Sequence, residues 1–372
     1  MSQKVKEIVG LVEGLAPQHY AMKWDHVGLQ VGDPEAVVNK VLVCLDLTQA
    51  VLKEAIEKEV QLIITHHPFL FTPLKKVIKT DIKGSMVFKA IQNGISIYSV
   101  HTNIDVARDG LNDSIAKRIG LQEITILQET YYEKLLKLVV FVPKTHEEQL
   151  AQAIGIAGAG HIGNYSHCSF RTEGMGAFMP LEGTNPYIGQ QDVLERVEEV
   201  RLETILRGSQ LKTVLKNMMV AHPYEEVAYD LYPLENKGEA VGLGRMGRLE
   251  KPITLSEFIQ KLKGLFEISS IRVVGNLRDS IERVCVLNGS GADFIDHAIR
   301  AGCDCMITGD VKYHDAQDAL EQGFSVIDLG HFESEKHFGS LVATYLEERL
   351  AEAGSEVEVL TSTIDINPFQ IL

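Results

Sequence analysis

Apolar and polar positions follow two alternating periods along this chain. "KVLVCLDLT" (40–48) is a continuous apolar run of the kind that forms a strand buried on both faces, and "QAVLKEAIEKEV" places apolar residues at 51, 52, 55, 56 and 60, the spacing of an amphipathic helix. "QLIITHH" (61–67) reads as the next strand, "MVFKAIQNG" (86–94) as a helix stopped by Asn93-Gly94, and "ISIYSVHTNID" (95–105) as a third strand. The N-terminal "MSQKVKEIVGLVEGLAP" is broken by Lys4 and Glu7 and predicts an amphipathic helix rather than a signal peptide. Strands alternating with helices predict βαβ units and a mainly parallel sheet.

The same pattern returns near the C-terminus. "VCVLNGSGADFIDHAIRAGCDCMITGD" (284–310) lies on 41–67 without a gap: Leu42–Thr48 falls on Cys285–Gly291, Ala55-Ile56 on Ala298-Ile299, and Ile64-Thr65 on Ile307-Thr308. "NGISIYSVHTNID" then matches "QGFSVIDLGHFESE" at a changed offset, because the first copy carries a longer loop, "PFLFTPLKKVIKTDIKGS". Strand, helix and turn positions agree together, so the chain reads as an internal duplication of a βαβαβ unit.

Between the copies the character changes. "KLVVFVP" (137–143) is strand-like, and "THEEQLAQAIGIAGA" (145–159) predicts a helix with Thr145 as N-cap and Glu148 completing a capping box. Strands follow around 165–171 and 195–206, and "SQLKTVLKNMMVAHPYEEVAYDLYPL" reads as helix, turn and strand. The order β-α-β-β-α-β is ferredoxin-like. "AGAGHIGNY" follows a helix instead of opening one, so it predicts a C-cap and turn, not a phosphate loop. The expected architecture is therefore α/β: a duplicated core at 1–128 and 238–372, with a metal cleft between its halves, and an inserted α+β ferredoxin-like domain at 129–237.

Composition adds limits. The 372 residues carry 51 acidic against 36 basic side chains, a net charge of −15. That disfavours a broad nucleic-acid face, which needs a basic patch, but not a small anionic substrate. No apolar run reaches the roughly 18 residues of a membrane span. Five scattered cysteines, an odd number in mostly strand-like segments, suit reduced core thiols in a cytoplasmic protein, and the Cys303-x-Cys305 pair is read as core packing.

In open α/β sheets, ligands bind beyond the carboxyl ends of the strands. The polar residues there are Asp46, His66, His67, His101 and Asp105 in the first copy, and Asp310, His314, His331 and Glu335 in the second. His331 falls one place after His101 in the alignment of the copies, and Pro68 stops the strand so that His66 and His67 can converge. Imidazole with carboxylate and without thiolate suits Zn, Fe, Mn or Ni. Three imidazoles with two carboxylates exceed one closed tetrahedral site, so two divalent ions bridged by a carboxylate are expected.

Five ordered motifs, "WDHVGLQVGD" (24–33), "ITHHP" (64–68), "HTNID" (101–105), "ITGDVKYHD" (307–315) and "GHFESE" (330–335), resemble the NIF-three family, whose members are also called GTP cyclohydrolase I type 2 homologues. The resemblance covers both halves of the core. The insertion resembles the PII-like, CutA-like module of the longer bacterial members, at "AGAGHIGNY" and "HPYEEVAYD". It implies a dinuclear centre with His66, His67, Asp105, His331 and Glu335 as ligands. His101 then becomes a supporting group or substrate contact, with Asp46, Asp310 and His314 as further pocket residues. It also implies a ring-shaped homohexamer. His26 departs from the pattern, where Asn is expected; it adds either an imidazole near the site or a cap-type hydrogen bond.

The expected activity is metal-dependent hydrolysis of a small, nucleotide-like substrate; by resemblance, opening of the guanine imidazole ring of GTP with release of formate. His101 and His314 are the candidate proton-transfer residues. Two other readings remain: a metal-binding regulatory or scaffold protein without turnover, and a metal-dependent phosphoesterase.

Overall fold

Each of the two alternating segments becomes a sheet in the computed structural model, which describes residues 3–370. The first sheet has the strand order Glu358–Thr361, Lys40–Cys44, Leu62–Thr65, Ser96–Ser99, Gly28–Val31. Its first four strands run parallel, and Gly28–Val31 closes one edge antiparallel. The second sheet has the order Arg272–Val274, Ser325–Asp328, Cys305–Gly309, Ser280–Ser290, Ala240–Thr254, Gln122–Tyr132. Its three inner strands Ser325–Asp328, Cys305–Gly309 and Ser280–Ser290 are parallel.

The continuous apolar runs have a direct cause: both faces of the first sheet are covered. Leu42, Cys44, Ile63 and Ile97 pack beneath Val51, Leu52 and Ala55 of the helix Gln49–Glu57 and Met86, Val87 and Ala90 of the helix Ile82–Gln92. The alternate residues Val41, Val43, Leu62, Ile64 and Tyr98 join a second core. Val284, Val286, Ile307 and Ile327 of the other sheet belong to it, as do Phe338, Val342 and Leu346 of the helix Phe338–Glu352. The two parallel sets are thus bound into one unit by shared apolar burial, and the carboxyl ends of their strands carry the polar residues described below.

The chain divides into two compact units, Met1–Thr130 with Val241–Leu372, and Tyr131–Ala240. In the second, four strands stand in the order Tyr229–Pro233, Leu135–Pro143, Glu195–Arg207, Ser169–Phe178, all antiparallel. The helices Glu147–Ile156 and Leu211–Ala221 cover one face through Leu150, Ile154, Val214 and Met218. Here one expectation is corrected. Thr145 does not cap the helix: residues Lys144–His146 form a 3-10 turn, the helix starts at Glu147, and the Thr145 hydroxyl pairs with His146 Nδ1 at 2.8 Å. The glycine-rich stretch leaves that helix at Ala157 and turns through Gly158 and Gly160, both at positive φ, where a side chain would be strained. Among the described residues, no helix is long and apolar enough to cross a membrane.

Candidate metal centre

The two adjacent histidines converge because the strand Leu62–Thr65 curls as it ends. The backbone N–H of His66 is shared between the Cys44 and Leu45 carbonyls, at 3.3 and 3.1 Å, and that of His67 also donates to Leu45, at 3.1 Å, so the ladder ends on one carbonyl. The Thr65 hydroxyl donates to the His67 carbonyl and holds the curl. Side chains that would alternate in an extended strand therefore end up on one side, with ring centroids 5.0 Å apart.

Two short helices supply the rest. His331 and Glu335 stand four residues apart in the helix His331–Glu335, so they share a face, and His331 Nε2 lies 3.2 Å from Glu335 Oε2. His101 and Asp105 have the same spacing, with His101 as N-cap of the helix Thr102–Val106. Residues 101–105, expected as the end of a strand, instead form a helical turn, and both turns present one imidazole and one carboxylate.

Every imidazole is held by its other nitrogen. His66 Nδ1 donates to the Val100 carbonyl at 2.9 Å, His67 Nδ1 to Asp46 at 3.0 Å, His101 Nδ1 to Asp25 at 2.9 Å and His331 Nδ1 to Asp310 at 2.7 Å. A carbonyl or carboxylate can only accept, so each Nδ1 carries the hydrogen and each Nε2 faces the group as a possible ligand atom. Asp310 reaches His331 from a left-handed backbone, φ 55°, which aspartate tolerates better than most residues.

The inward atoms form a tight set. His67 Nε2 and His331 Nε2 are 3.2 Å apart, and Glu335 Oε2 lies 3.1 and 3.2 Å from them. His66 Nε2 lies 3.5 Å from Glu335 Oε1 and 4.0 Å from Asp105 Oδ1. Candidate ligand atoms gather into two overlapping trios, His66–His67–His101 and His67–His331–Glu335, each within 4.8 Å. His101, expected as a supporting group, therefore stands among the inward imidazoles.

The charges respond to this crowding. Burial alone would favour neutral Glu335, but His66, His331 and His67 hold its carboxyl well below the usual range. Burial opposes protonation of His67, yet Asp46 and Glu335 raise it to about 10; His331 rises to about 9, chiefly through Glu335 and against its own burial. Burial and the Glu335 carboxylate push Asp105 up against the pull of His66. Asp25 is lowered to about 2, since its hydrogen bonds with His101 and Thr102 outweigh its burial. The protein has built a place where positive charge is wanted among buried carboxylates.

These residues fit a metal on observations of their own. His66 Nε2 is buried with no hydrogen-bond partner, its nearest carboxylate oxygen being Glu335 Oε1 at 3.5 Å, and Glu335 Oε2 faces the Nε2 atoms of His67 and His331, a costly arrangement for buried polar atoms unless something coordinates them. Gly289 leaves the space beside Glu335, since a Cβ there would lie 2.3 Å from Glu335 Oε1.

Two contributors escaped the sequence reading. Asn288 donates from Nδ2 to Asp105 Oδ1 at 2.9 Å and to Glu335 Oε1 at 3.0 Å, tying together carboxylates from the two halves of the unit. Its position in "LNGSG" at the end of an apolar strand was the available signal. Asp25 was passed over in favour of His26. His26 directs its ring at Phe71 (centroids 6.3 Å apart), and its backbone N–H takes Asp25 Oδ1. The proton-transfer candidate His314 is not brought into the group: it is exposed on the helix Tyr313–Glu321, with its ring against Tyr313. A residue just past a strand end was expected to face the cleft, but the helix that begins there turns it outward.

Comparison with known proteins decides the family, since the model for Duf34/NIF3 (NGG1p interacting factor 3) matches residues 3–368. This chain belongs to the Duf34/NIF3 family. A relative from Halalkalibacterium halodurans, described as a GTP cyclohydrolase 1 type 2 homolog, is 44% identical over 365 residues, 98% of each chain. One from Bacillus subtilis with the same description is 43% identical over 367 residues, 99% of this chain and 98% of its own. The fold is also that of a solved Bacillus cereus protein related to NIF3, at a TM-score of 0.92 and 44% identity, covering 100% of this chain and 99% of that one.

Proposed function

We propose that this Duf34/NIF3 protein is a metal-dependent hydrolase of a small, nucleotide-like substrate, with two divalent ions held by His66, His67, Asp105, His331 and Glu335. The carrying observation is the approach of His67 Nε2 and His331 Nε2 to 3.2 Å around Glu335, with both Nδ1 atoms committed to carboxylates. Two bare imidazole nitrogens at that distance repel unless a proton or a cation lies between them. Zn, Fe, Mn and Ni all suit the donor set. When bound, such ions would polarise a substrate and activate water for its hydrolysis.

The chain's own residues contribute the rest. Asp46, Asp25 and Asp310 orient the imidazoles, and Asn288 positions the two carboxylates. His101, partly exposed at the edge of the group, is the residue placed to pass a proton to or from a reacting molecule. The reaction that the resemblance implies, hydrolytic opening of the guanine imidazole ring of GTP with release of formate, is the first to test.

We further infer that the two sheets arose by duplication of one βαβαβ unit. The matched segments both run strand, helix, strand, helix, strand, and both end in a five-residue helix carrying a ligand carboxylate. The unit Tyr131–Ala240 has the strand order of a ferredoxin-like fold, which supports a PII-like or CutA-like insertion at about 129–237. Its exposed edge strand Ser169–Phe178, with Phe170 and Met175 in solvent, supports assembly, and a homohexamer is the state we assign. Five unpaired cysteines suit the cytoplasm.

The test combines metal content with turnover. Two ions per chain and hydrolysis of GTP, or of a nucleotide or phosphoester in a panel, with loss of both in His67→Ala, are expected. Turnover no higher than that of His67→Ala would replace the hydrolase with a metal-binding scaffold. Clearly fewer than two ions per chain would remove the dinuclear centre.

A further inference from the structure

The residues around the imidazoles have two flanks of opposite character. On one, a cavity of about 890 Å³ is bordered by the carboxylates of Asp46, Asp310, Asp328 and Glu333, and its guanidinium, Arg272, is already paired with Asp328. The other flank is aromatic and basic. Trp24, the sole tryptophan of the chain, is 54% exposed and Phe71 is 49% exposed. Their ring centroids are 6.2 Å apart and lie 6.1 and 6.5 Å from the ring of His101. Phe71 also borders a hollow of about 370 Å³ with Lys75, Lys76 and Lys83 around it against the single carboxylate of Asp81.

Half-exposed aromatic rings beside a candidate reaction site cost the folded chain apolar exposure that internal packing does not recover. They are also held in place. Gln30 donates from Nε2 to the His26 carbonyl at 2.7 Å and accepts from the Leu70 N–H at 2.7 Å, fastening the loop that carries Trp24 to the loop that carries Phe71. Lys83 is engaged locally, donating to the Phe69 carbonyl and lying over the Phe69 ring, whereas Lys75 and Lys76 are exposed. In a protein of net charge −15, this basic edge opposes the general field.

We propose that Trp24 and Phe71, whose planes meet at 63°, form a platform beside His101 in which a planar heterocycle stacks on one ring and meets the other edge-on, and that Lys75 and Lys76 receive an anionic group of the same molecule. This rests on the reading of the histidine group as the reaction site. A π-face accepts any planar base, so the platform orients the ring without choosing among bases. The carboxylates of the first flank are each paired, Asp46 with His67, Asp310 with His331, Asp328 with Arg272 and Glu333 with Lys336, whereas the exposed Lys75 and Lys76 carry the charge an anion can pair with, so the lysines set which way the molecule lies. The substrate class is thus a heterocycle with a phosphate or comparable anion, ring toward His101 and anion toward the 72–83 loop.

Trp24 supplies the readout. The metal-loaded full chain is titrated with AMP, GMP and UMP, with adenosine, guanosine and uridine, and with ribose 5-phosphate, following tryptophan fluorescence. At least one nucleotide and its nucleoside are expected to change the emission, and ribose 5-phosphate is not. Phe71→Ala should weaken nucleotide and nucleoside alike by about fivefold or more. The double variant Lys75→Ala/Lys76→Ala should weaken the nucleotide, flatten its salt dependence and leave the nucleoside unchanged. No response to any nucleotide, or a folded Phe71→Ala that titrates like the parent, overturns the platform. Equal weakening of nucleotide and nucleoside in the lysine variant overturns the anion assignment. Metal content and turnover of the same samples separate the two readings. Binding without turnover retires the hydrolase and keeps the platform, whereas turnover with kinetics indifferent to Phe71→Ala retires the platform alone.

Discussion

Gly289 and Glu335 are fitted to each other: Gly289 has φ 60°, and a Cβ on it would lie 2.3 Å from Glu335 Oε1 and 3.4 Å from His331 Nε2. The neighbouring Asn288 amide holds that same carboxylate oxygen. The glycine therefore serves the carboxylate as well as the turn. Gly289→Ala should cost about 1–2 kcal/mol of stability through backbone strain and displace Glu335, lowering metal affinity about tenfold or more. Competition with a chromophoric chelator measures the affinity, and thermal unfolding the stability. An alanine variant that binds metal like the parent would show that Gly289 does not set the position of Glu335.

Asp25 binds His101 Nδ1, the Thr102 N–H and the Thr102 hydroxyl at once. Asp25→Asn keeps the shape but removes the charge that fixes the imidazole. Turnover should fall about 10–100-fold, with metal content and melting temperature little changed. A matching fall in melting temperature would mean that Asp25 acts through folding instead.

Beside the helix that carries Asp105, Arg245 is buried and uses all its donors. Nε and Nη2 bind the two Asp113 oxygens at 2.7 and 2.9 Å, and the remaining N–H groups reach the carbonyls of Gly242, Gly244 and Ala107. Asp113→Ala would strand a buried guanidinium and should destabilise by about 3–5 kcal/mol. Urea unfolding with an unchanged slope would confirm that stability alone was lost.

Glu54 gives the pH dependence. Burial opposes its ionisation, but Lys58 at 2.8 Å and the bonds from Ser362 and Thr363 outweigh it and lower its pKa. A lowered folded pKa stabilises the native state above the unfolded value, about 4.3, and that contribution is lost as pH falls through the folded value. Glu54→Gln should therefore cost about 1 kcal/mol at pH 7, and the gap in melting temperature should close below about pH 4. A gap that persists in acid would assign the effect to packing of the segment that follows Glu358–Thr361.

The chain's own order of residues determined where strands and helices alternate, since each period reports which faces must be buried. It also placed His66, His67, Asp105, His331 and Glu335 just beyond strand ends, where side chains leave the core. The helical turns that pair His101 with Asp105 and His331 with Glu335 were not legible, because 101–105 reads as the end of a strand and five residues are too few to show a helical period. His314 shows the limit of that logic: it also follows a strand, but the direction of its helix turns it to solvent. Thr145 shows another, since a capping motif specifies a helix start only if the preceding backbone is extended, and here it is a 3-10 turn.

Only the tertiary structure decided the partners. Asp25 meets His101 across 76 residues, Asn288 meets Asp105 across 183, and His67 meets His331 across 264. Local sequence sets the direction in which a side chain leaves its own element. Whether two such directions cross depends on how the sheets share their core, and that is set by the packing of Val43, Tyr98, Val286 and Phe338, apolar residues with no chemistry of their own.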